Sequence, residues 1–437
     1  MDLIDERNNC LNCKNKPCSQ GCPLGNNIPA MIHENEYQKA FEILRQTTVL
    51  PAICGRVCPH SRQCEGNCVR GIKGKAVSIG KIEADVGDKS IEDNYNIPEL
   101  DIREFLNIDN NDIEINKAMA NLENKRVAIV GGGPAGLTAA AFLARCGVKV
   151  TIFDKHEKLG GILQYGIPDF RLPKTVVQNT VNKICKLGNI EVKCNAKLGE
   201  DVEIEELEKN FDVILLAFGA NISSKMNIEG ENLQGVYGAN ETLENNNSIN
   251  LTGKRVAVIG GGNVAMDMAR TALRNGAKEV KIIYRRSEEQ MPADKREIEI
   301  SKEEGIEFLF LNNIVRILSK KDNKDNGVEK IECIKTQLVK KEGDNRLSPV
   351  NIEGSNYFID VDIVFMAIGS GVDEEVVNKI NVSLSKYKNV EVDVNYQTSN
   401  KKIFACGDLV GQKATVAWAA NGGKKAAQSI MKCFLYE

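Results

Sequence analysis

The chain repeats one short layout. KRVAIVGGGPAGLTAAAFLARCGVKVTIFDK (125–155) and KRVAVIGGGNVAMDMARTALRNGAKEVKIIYRR (254–286) each run Lys-Arg, apolar strand, glycine turn, amphipathic helix, glycine stop, second strand. This is an internal duplication of a βαβ unit, and it commits the chain to an α/β fold with two Rossmann-like domains. Two further strands, FDVILLAFGA (211–220) and VDIVFMAIGS (361–370), end alike in Ala-x-Gly, and each is expected to close one of the two sheets. Glu244–Asn250 and Ser319–Lys330 read as surface loops.

In the first copy Gly131, Gly133 and Gly136 form G-x-G-x-x-G directly after a strand. The first glycine permits the tight turn, the second lets a pyrophosphate approach the backbone, and the third lets helix and strand pack closely. Pro134 and Ala135 lie inside this loop. Asp154, followed by Lys155, ends the second strand, where a carboxylate accepts ribose hydroxyls and repels a 2′-phosphate. The second copy has Gly260, Gly262 and Ala265, with Asn263 and Val264 inside the turn. Its second strand ends in Tyr284-Arg285-Arg286, and two guanidiniums there suit the 2′-phosphate of NADP(H).

Near the C-terminus, IFACGDLVGQKATVAWAANGGKKAA (403–427) runs strand, Gly407-Asp408, then a helix that follows Thr415. It is similar to the second FAD fingerprint of two-dinucleotide flavoproteins. The first copy is therefore assigned to FAD, and the chain returns at its end to complete that domain. The NADP(H) unit is inserted between. The expected boundaries are 1–120 for an N-terminal domain and its connector, 121–243 with 389–437 for the FAD domain, and 244–388 for the NADP(H) domain. Hydride transfer from nicotinamide to flavin asks for no side-chain acid or base, so none is assigned.

Fourteen cysteines are present, eight of them in the first 68 residues. The acidic start, MDLIDERNNC, has no apolar leader, so the chain is expected in the cytoplasm with its thiols reduced. The eight form two quartets, Cys10, Cys13, Cys18, Cys22 and Cys54, Cys58, Cys64, Cys68. Thiolate quartets hold zinc or iron–sulfur clusters. Pro23 after Cys22 resembles ferredoxin runs, in which that cysteine serves the other cluster. A flavin in the same chain favours iron, because clusters carry the single electrons a flavin releases. Between the quartets, Tyr37, Ala40, Phe41 and Leu44 recur at helical spacing. Residues 88–121 read as an acidic connector with a helix or two.

Composition excludes other classes. With 57 basic and 60 acidic residues the net charge is −3, so neither nucleic acid nor an anionic membrane is an expected partner. The uncharged run Val127–Ala144 contains Gly131, Gly132, Gly133, Pro134 and Gly136, which suits a strand, turn and helix rather than a membrane span.

The pattern C-x2-C-x4-C-x3-C-P, with ICGRVCP, QCEGNCVRG, VSIGKIE, VGGGPAGL, LGGILQYGIPDFRLPK, IGGGNVAMD, YRRSEEQMPA and ACGD, resembles the small (β) subunit family of NADPH-dependent glutamate synthase. Close relatives are the large subunit of NADH-dependent ferredoxin:NADP oxidoreductase and the NADPH arm of dihydropyrimidine dehydrogenase. The resemblance runs from Cys10 to the C-terminus and implies a helical N-terminal domain with two 4Fe-4S clusters on a glutathione-reductase-like FAD/NADPH core. It implies crossed ligation: Cys10, Cys13, Cys18 and Cys68 at one cluster, and Cys22, Cys58, Cys64 and Glu83 at the other, with Cys54 competing with Glu83. It also implies flavin contacts at Gly160, Gly161 and Arg171, and a nicotinamide-side contact at Gly369. The connector is expected to be longer than the family's, and no partner chemistry fits within the assigned residues. The expected role is an electron-entry subunit. Its partner would be the glutamate synthase large subunit, another electron-accepting flavoprotein subunit, or ferredoxin. A bifurcating ferredoxin:NADP oxidoreductase and a scaffold without turnover are the competing readings.

Overall fold

The computed structural model describes residues 3–108, 116–117, 119–245, 249–319, 327–340 and 347–436. They form two compact units, one of Met1–Gln164, Asp169–Ala220 and Val372–Glu437, the other of Tyr165–Pro168 and Asn221–Gly371.

The first unit is built on a five-stranded parallel sheet ordered Ile403–Ala405, Val213–Leu216, Arg126–Val130, Lys149–Phe153, Ile190–Lys193. Val127 to Val130 are all buried, as a parallel strand covered on both faces must be. Helix Pro134–Arg145 is buried from Pro134 to Ala144, because the C-terminal helix Val416–Tyr436 packs against it. The contact is backbone to backbone: a Cβ on Gly423 would lie 2.1 Å from the carbonyl oxygen of Ala135.

The N-terminal part of this unit is helical. Tyr37–Arg45 forms on the expected spacing and buries Ala40, Phe41 and Leu44. In Ile79–Glu92, the i, i+3, i+4, i+7 positions Ile79, Ile82, Glu83 and Val86 share the buried face, so Glu83 points inward with the core. This helix lies tightly on Pro51–Val57: a Cβ on Gly55 would stand 2.4 Å from the Ala84 nitrogen, and one on Gly87 2.2 Å from the Ala52 nitrogen. Cys64 belongs to the core formed here, with Cys10, Cys18, Cys22 and Cys68 packed against it. The connector contributes helix Ile102–Leu106, whose Phe105 stacks on Phe142 at 5.0 Å. Its residues 109–115 and 118 lie outside the described residues.

The second unit repeats the parallel sheet, ordered Val236–Gly238, Ile363–Met366, Arg255–Ile259, Glu279–Tyr284, Glu307–Phe310. An antiparallel sheet adds Asn312–Ser319, Val328–Val339, Ser348–Asn351 and Tyr357–Asp360.

The expected sheet edges are corrected. Val213–Leu216 and Ile363–Met366 are interior strands, because Ile403–Ala405 and Val236–Gly238 add outside them. Val328–Lys330, expected in a loop, begins a strand; residues 320–326 of that loop, and 246–248 of the other, lie outside the described residues. The second compact unit takes Tyr165–Pro168 and Asn221–Gly371, beside expected bounds of 244–388 for the inserted domain. Val236–Gly238 is bonded into its sheet, whereas Val372, Val377 and Ile380 pack into the core of the first unit. Among the described residues no helix is long and apolar enough to cross a membrane.

Candidate functional site

Each nucleotide loop is shaped by its glycines. Gly131 turns at φ +106°, and a Cβ there would lie 2.6 Å from the Ala217 oxygen. A Cβ on Gly136 would lie 1.9 Å from the Gly131 oxygen, so helix and turn touch through the third glycine. Gly133 precedes the helix and Pro134 opens it, where a missing N–H costs nothing. Ala135 is buried. Asp154 is buried and heavily engaged: Oδ2 accepts from the Gly132 nitrogen at 2.7 Å and Oδ1 from the His156 nitrogen at 2.9 Å. Lys155 is exposed. A second glycine turn, Gly160 (φ +130°) and Gly161 (φ +51°), lies against the first. The Gly160 nitrogen donates to the Gly132 oxygen at 2.8 Å, and a Cβ on Gly161 would stand 2.9 Å from the Gly133 Cα. Arg171 is half-buried just ahead of helix Lys174–Cys185.

The chain's end joins this group. A Cβ on Gly407 (φ +75°) would meet the Ala135 Cβ at 3.1 Å. The next residue, Asp408, has a buried Oδ1 with no hydrogen-bond partner, and burial pushes its carboxyl up to about 6. Thr415 Oγ1 accepts from the Trp418 nitrogen at 3.3 Å at the start of helix Val416–Tyr436. A helix N-terminus beside glycine turns suits a pyrophosphate, and an orphaned buried acceptor suits a polyol hydroxyl. The residues present therefore fit the expected FAD.

The second unit holds the matching loop. Gly260 turns at φ +141°, with a Cβ there 2.1 Å from the Ala367 oxygen. Above Gly262 a Cβ would meet nothing within 4 Å, leaving the backbone open to a phosphate. Asn263 Oδ1 accepts from the Asp294 nitrogen at 2.9 Å, and the Ala293 nitrogen donates to the Gly261 oxygen at 3.0 Å. The MPAD segment thus braces the loop, a role its sequence does not announce. Ala265 is buried, and Val264 is packed at the rim of the core. Beyond the strand ending at Tyr284, Arg285 is exposed, and Arg286 Nε donates to the Leu347 oxygen at 3.4 Å. Gly369 (φ +139°) accepts from the Ser224 nitrogen at 3.0 Å. These residues fit an NADP(H) dinucleotide, with guanidinium charge where the first loop has a carboxylate.

The cysteines sort into two groups that cross the sequence quartets. Cys10, Cys13, Cys18 and Cys68 line one cavity with Pro17, Pro29, Ile32, Val77 and Ile79. Burial raises the thiols of Cys10 and Cys18, and nearby cysteines, Cys68 among them, add to both shifts. Cys22 stands elsewhere. Burial first, then Glu83 and Cys54, push it up to about 11, against hydrogen bonds from the Asn26 and Leu24 backbone. The Cys58 thiol is raised by its bond to Cys54 and by burial, with Glu83 and Cys64 also near. Burial, Glu83 and Cys22 raise Cys64. Glu83, 6% exposed, is pushed up to about 8 by burial, and Oε1 accepts from Asn26 Nδ2 at 3.1 Å. Glu83 is near enough to raise the thiols of Cys22, Cys58 and Cys64, and Cys54 those of Cys22 and Cys58, the second through a direct bond. Among the described residues no three such side chains converge as on a single ion. The outer four surround a space, which suits a cluster, and soft thiolates suit iron.

Three contributors were not singled out from sequence. Asn26 holds Glu83. Lys424 of the C-terminal helix donates to the Leu24 oxygen at 2.9 Å, and burial pushes its ammonium down to about 8. Gln63, beside Cys64, donates to Thr415 Oγ1 at 3.4 Å. The last two tie the inner cysteine group to the helix that follows Asp408. A lysine inside AANGGKKAA is a local signal, but its partner lies 400 residues away.

Comparison with known proteins agrees with this architecture. Residues 125–426 match the family described as Pyridine nucleotide-disulphide oxidoreductase, and residues 1–95 match Dihydroprymidine dehydrogenase domain II, 4Fe-4S cluster. The glutamate synthase NADPH small chain of Escherichia coli is 35% identical over 97% of this chain and 89% of that protein. That of Azospirillum brasilense is 31% identical over 98% and 88%. The NADP(+)-dependent formate dehydrogenase subunit beta of Moorella thermoacetica is 34% identical over 95% of this chain and 59% of its own length. Among solved structures, Mycobacterium tuberculosis FprA in complex with NADPH superposes with TM-score 0.61 at 20% identity, covering 70% of this chain and 84% of that one.

The Asp408 carboxyl sets a pH dependence. Its folded form holds the proton more tightly than the unfolded chain, so its contribution to stability is full below the ordinary value of 3.8 and is lost as pH rises through about 6. Deflavinated Asp408→Asn protein should exceed the parent in urea stability at neutral pH by up to about 3 kcal/mol. The difference should close below pH ~4. Parallel curves across that window would refute an unpaired carboxylate.

Proposed function

The chain belongs to the NADPH glutamate synthase small-chain family, as an NADPH-dependent flavin and iron–sulfur oxidoreductase, and on that footing we propose that it is the electron-entry subunit of a larger enzyme, glutamate synthase. The bound cofactors supply the chemistry: hydride passes from NADPH to FAD, and single electrons continue through two 4Fe-4S clusters. The partner would use them to make glutamate from glutamine and 2-oxoglutarate.

One observation carries this reading. Within a single compact unit, the helix that completes the dinucleotide domain also touches the segments bearing Cys22 and Cys64. A storage or zinc role gives no reason for that adjacency. In the proposal Cys10, Cys13, Cys18 and Cys68 hold the outer cluster, and Cys22, Cys58, Cys64 and Glu83 the inner one. Glu83 is preferred to Cys54 because it is near enough to raise all three remaining thiols. Gly131, Gly133, Pro134, Ala135, Gly136, Gly160, Gly161, Gly407, Asp408 and Thr415 frame the FAD, with Asp154 and Lys155 at its ribose and Arg171 near the flavin. Gly260, Gly262, Asn263, Val264, Ala265 and Gly369 receive the NADPH, and Arg285 with Arg286 pairs with its 2′-phosphate. The name of the Moorella relative favours one alternative, a partner that is a different redox enzyme.

Anaerobically isolated protein should show flavin bands over a broad iron–sulfur absorption, and NADPH should bleach both. Colourless protein containing zinc would refute the proposal. Co-purification with an FMN-bearing large subunit would support glutamate synthase, and a dehydrogenase partner would redirect it. Glu83→Ala should lose half the iron or alter the EPR signal of one cluster, whereas Cys54→Ala keeps both; the opposite result hands the ligand position to Cys54. Arg285→Ala should raise the KM for NADPH about tenfold or more, the size of a lost charge-assisted bond, and spare NADH. An equal effect on both nucleotides would argue against a 2′-phosphate contact.

A further inference from the structure

Among residues 5–108, the large apolar side chains left exposed are Leu11 at 57%, Val69 at 37% and Ile72 at 77%. They are not scattered. Leu11 and Val69 line the same cavity as Cys10, Cys13, Cys18 and Cys68, and Ile72 follows Val69 in one short helical turn, Val69–Ile72. Exposed apolar side chains gathered at one place mark a contact surface more often than scattered ones do.

The two segments that carry these side chains have charge of one sign, and the nearby carboxylates of Glu6 and Glu65 are turned onto the Ser78 and Gly80 nitrogens. Lys14, Lys16, Arg70, Lys73 and Lys75 are all exposed, and residues 10–18 and 68–76 contain neither Asp nor Glu. The whole chain carries −3, so this is a local feature. Arg70 and Lys16 bond to the neutral side-chain oxygens of Asn9 and Asn27, which leave their charge uncompensated. The inner group differs. Cys64 and Glu83 are only 5% and 6% exposed while Cys22 and Cys58 are half-buried, and the C-terminal helix meets their neighbourhood through Gln63 and Lys424. Of the two cysteine groups, the outer one is open to an approaching protein. Encounters between electron-transfer proteins are small and steered by charge.

We propose that the face formed by Leu11, Val69 and Ile72 with Lys14, Lys73 and Lys75 is the docking surface for an electron-accepting protein that presents an apolar centre rimmed by carboxylates. The inference rests on the electron-entry reading and adds where electrons leave and what kind of surface receives them. A lipid surface is disfavoured, because this face is a short turn and loop without an amphipathic helix.

Horse cytochrome c and its succinylated form carry the same haem with opposite surface charge, and they test the face directly. One NADPH gives up a hydride, reduces two haems by one electron each and releases one proton. The cluster-loaded chain should reduce succinylated cytochrome c about tenfold faster than the native form at low ionic strength, and the advantage should shrink with added salt. The double variant Lys73→Glu/Lys75→Glu should reverse the preference and leave NADPH-driven reduction of menadione, a small neutral quinone, unchanged. Equal rates for the two cytochromes, or a preference the variant keeps, would overturn the docking face while NADPH bleaching upholds the electron-entry reading. Binding to phosphatidylserine vesicles without any cytochrome preference would assign the face to lipid and also overturn it. Failure of NADPH to bleach the flavin would overturn the reading and the docking face together.

Discussion

The contact between Gly423 and the Ala135 carbonyl is the constraint from which the first unit follows. It lets the C-terminal helix lie directly on the helix of the first nucleotide loop, with no side chain between them. A helix that close draws the end of the chain back to its middle, adds Ile403–Ala405 to the sheet and sets Gly407 against Ala135. The same helix, continuing past the contact, carries Lys424 to the Leu24 carbonyl. One backbone approach thus joins the dinucleotide site, the returning strand and the cysteine-bearing segment. A single methyl group at Gly423 would have to move all three.

The local parts of this design are legible in the sequence. Glycine turns at 131, 260 and 407 announce themselves because a positive φ demands a particular residue at a particular place. The helix at Tyr37–Arg45 follows from apolar spacing alone. What crosses the chain is harder to read. That Cys22 leaves its own quartet rests on a turn held by Asn26 and on a helix that brings Glu83 from 57 residues on. The family resemblance implies such a crossing; spacing alone leaves it open. The interior position of Val213–Leu216 and Ile363–Met366 escaped for the same reason, since a strand does not reveal what lies beyond it. Lys424 and the MPAD brace act through partners that no local window contains.

The inner cysteine group gathers several ionisable side chains where burial disfavours their charge. Three thiols and a carboxyl lie close together, burial pushes each toward its protonated form, and Glu83 adds to the shift of all three thiols. Iron bound there must displace those protons, so loading the site is coupled to pH and contributes to folding.

The two nucleotide loops show how a duplicated unit can be sorted with little change. Both have a glycine in the left-handed region after the strand and another at the helix start, so their backbones offer a phosphate the same donors. The difference lies at the end of the next strand, Asp154 in one unit and Arg285-Arg286 in the other. A carboxylate there disfavours a 2′-phosphate, and guanidiniums attract one. The carboxylate thereby sets the first loop against a 2′-phosphate, and the guanidiniums set the second toward one, a difference that would separate NADP(H) from a dinucleotide without that group.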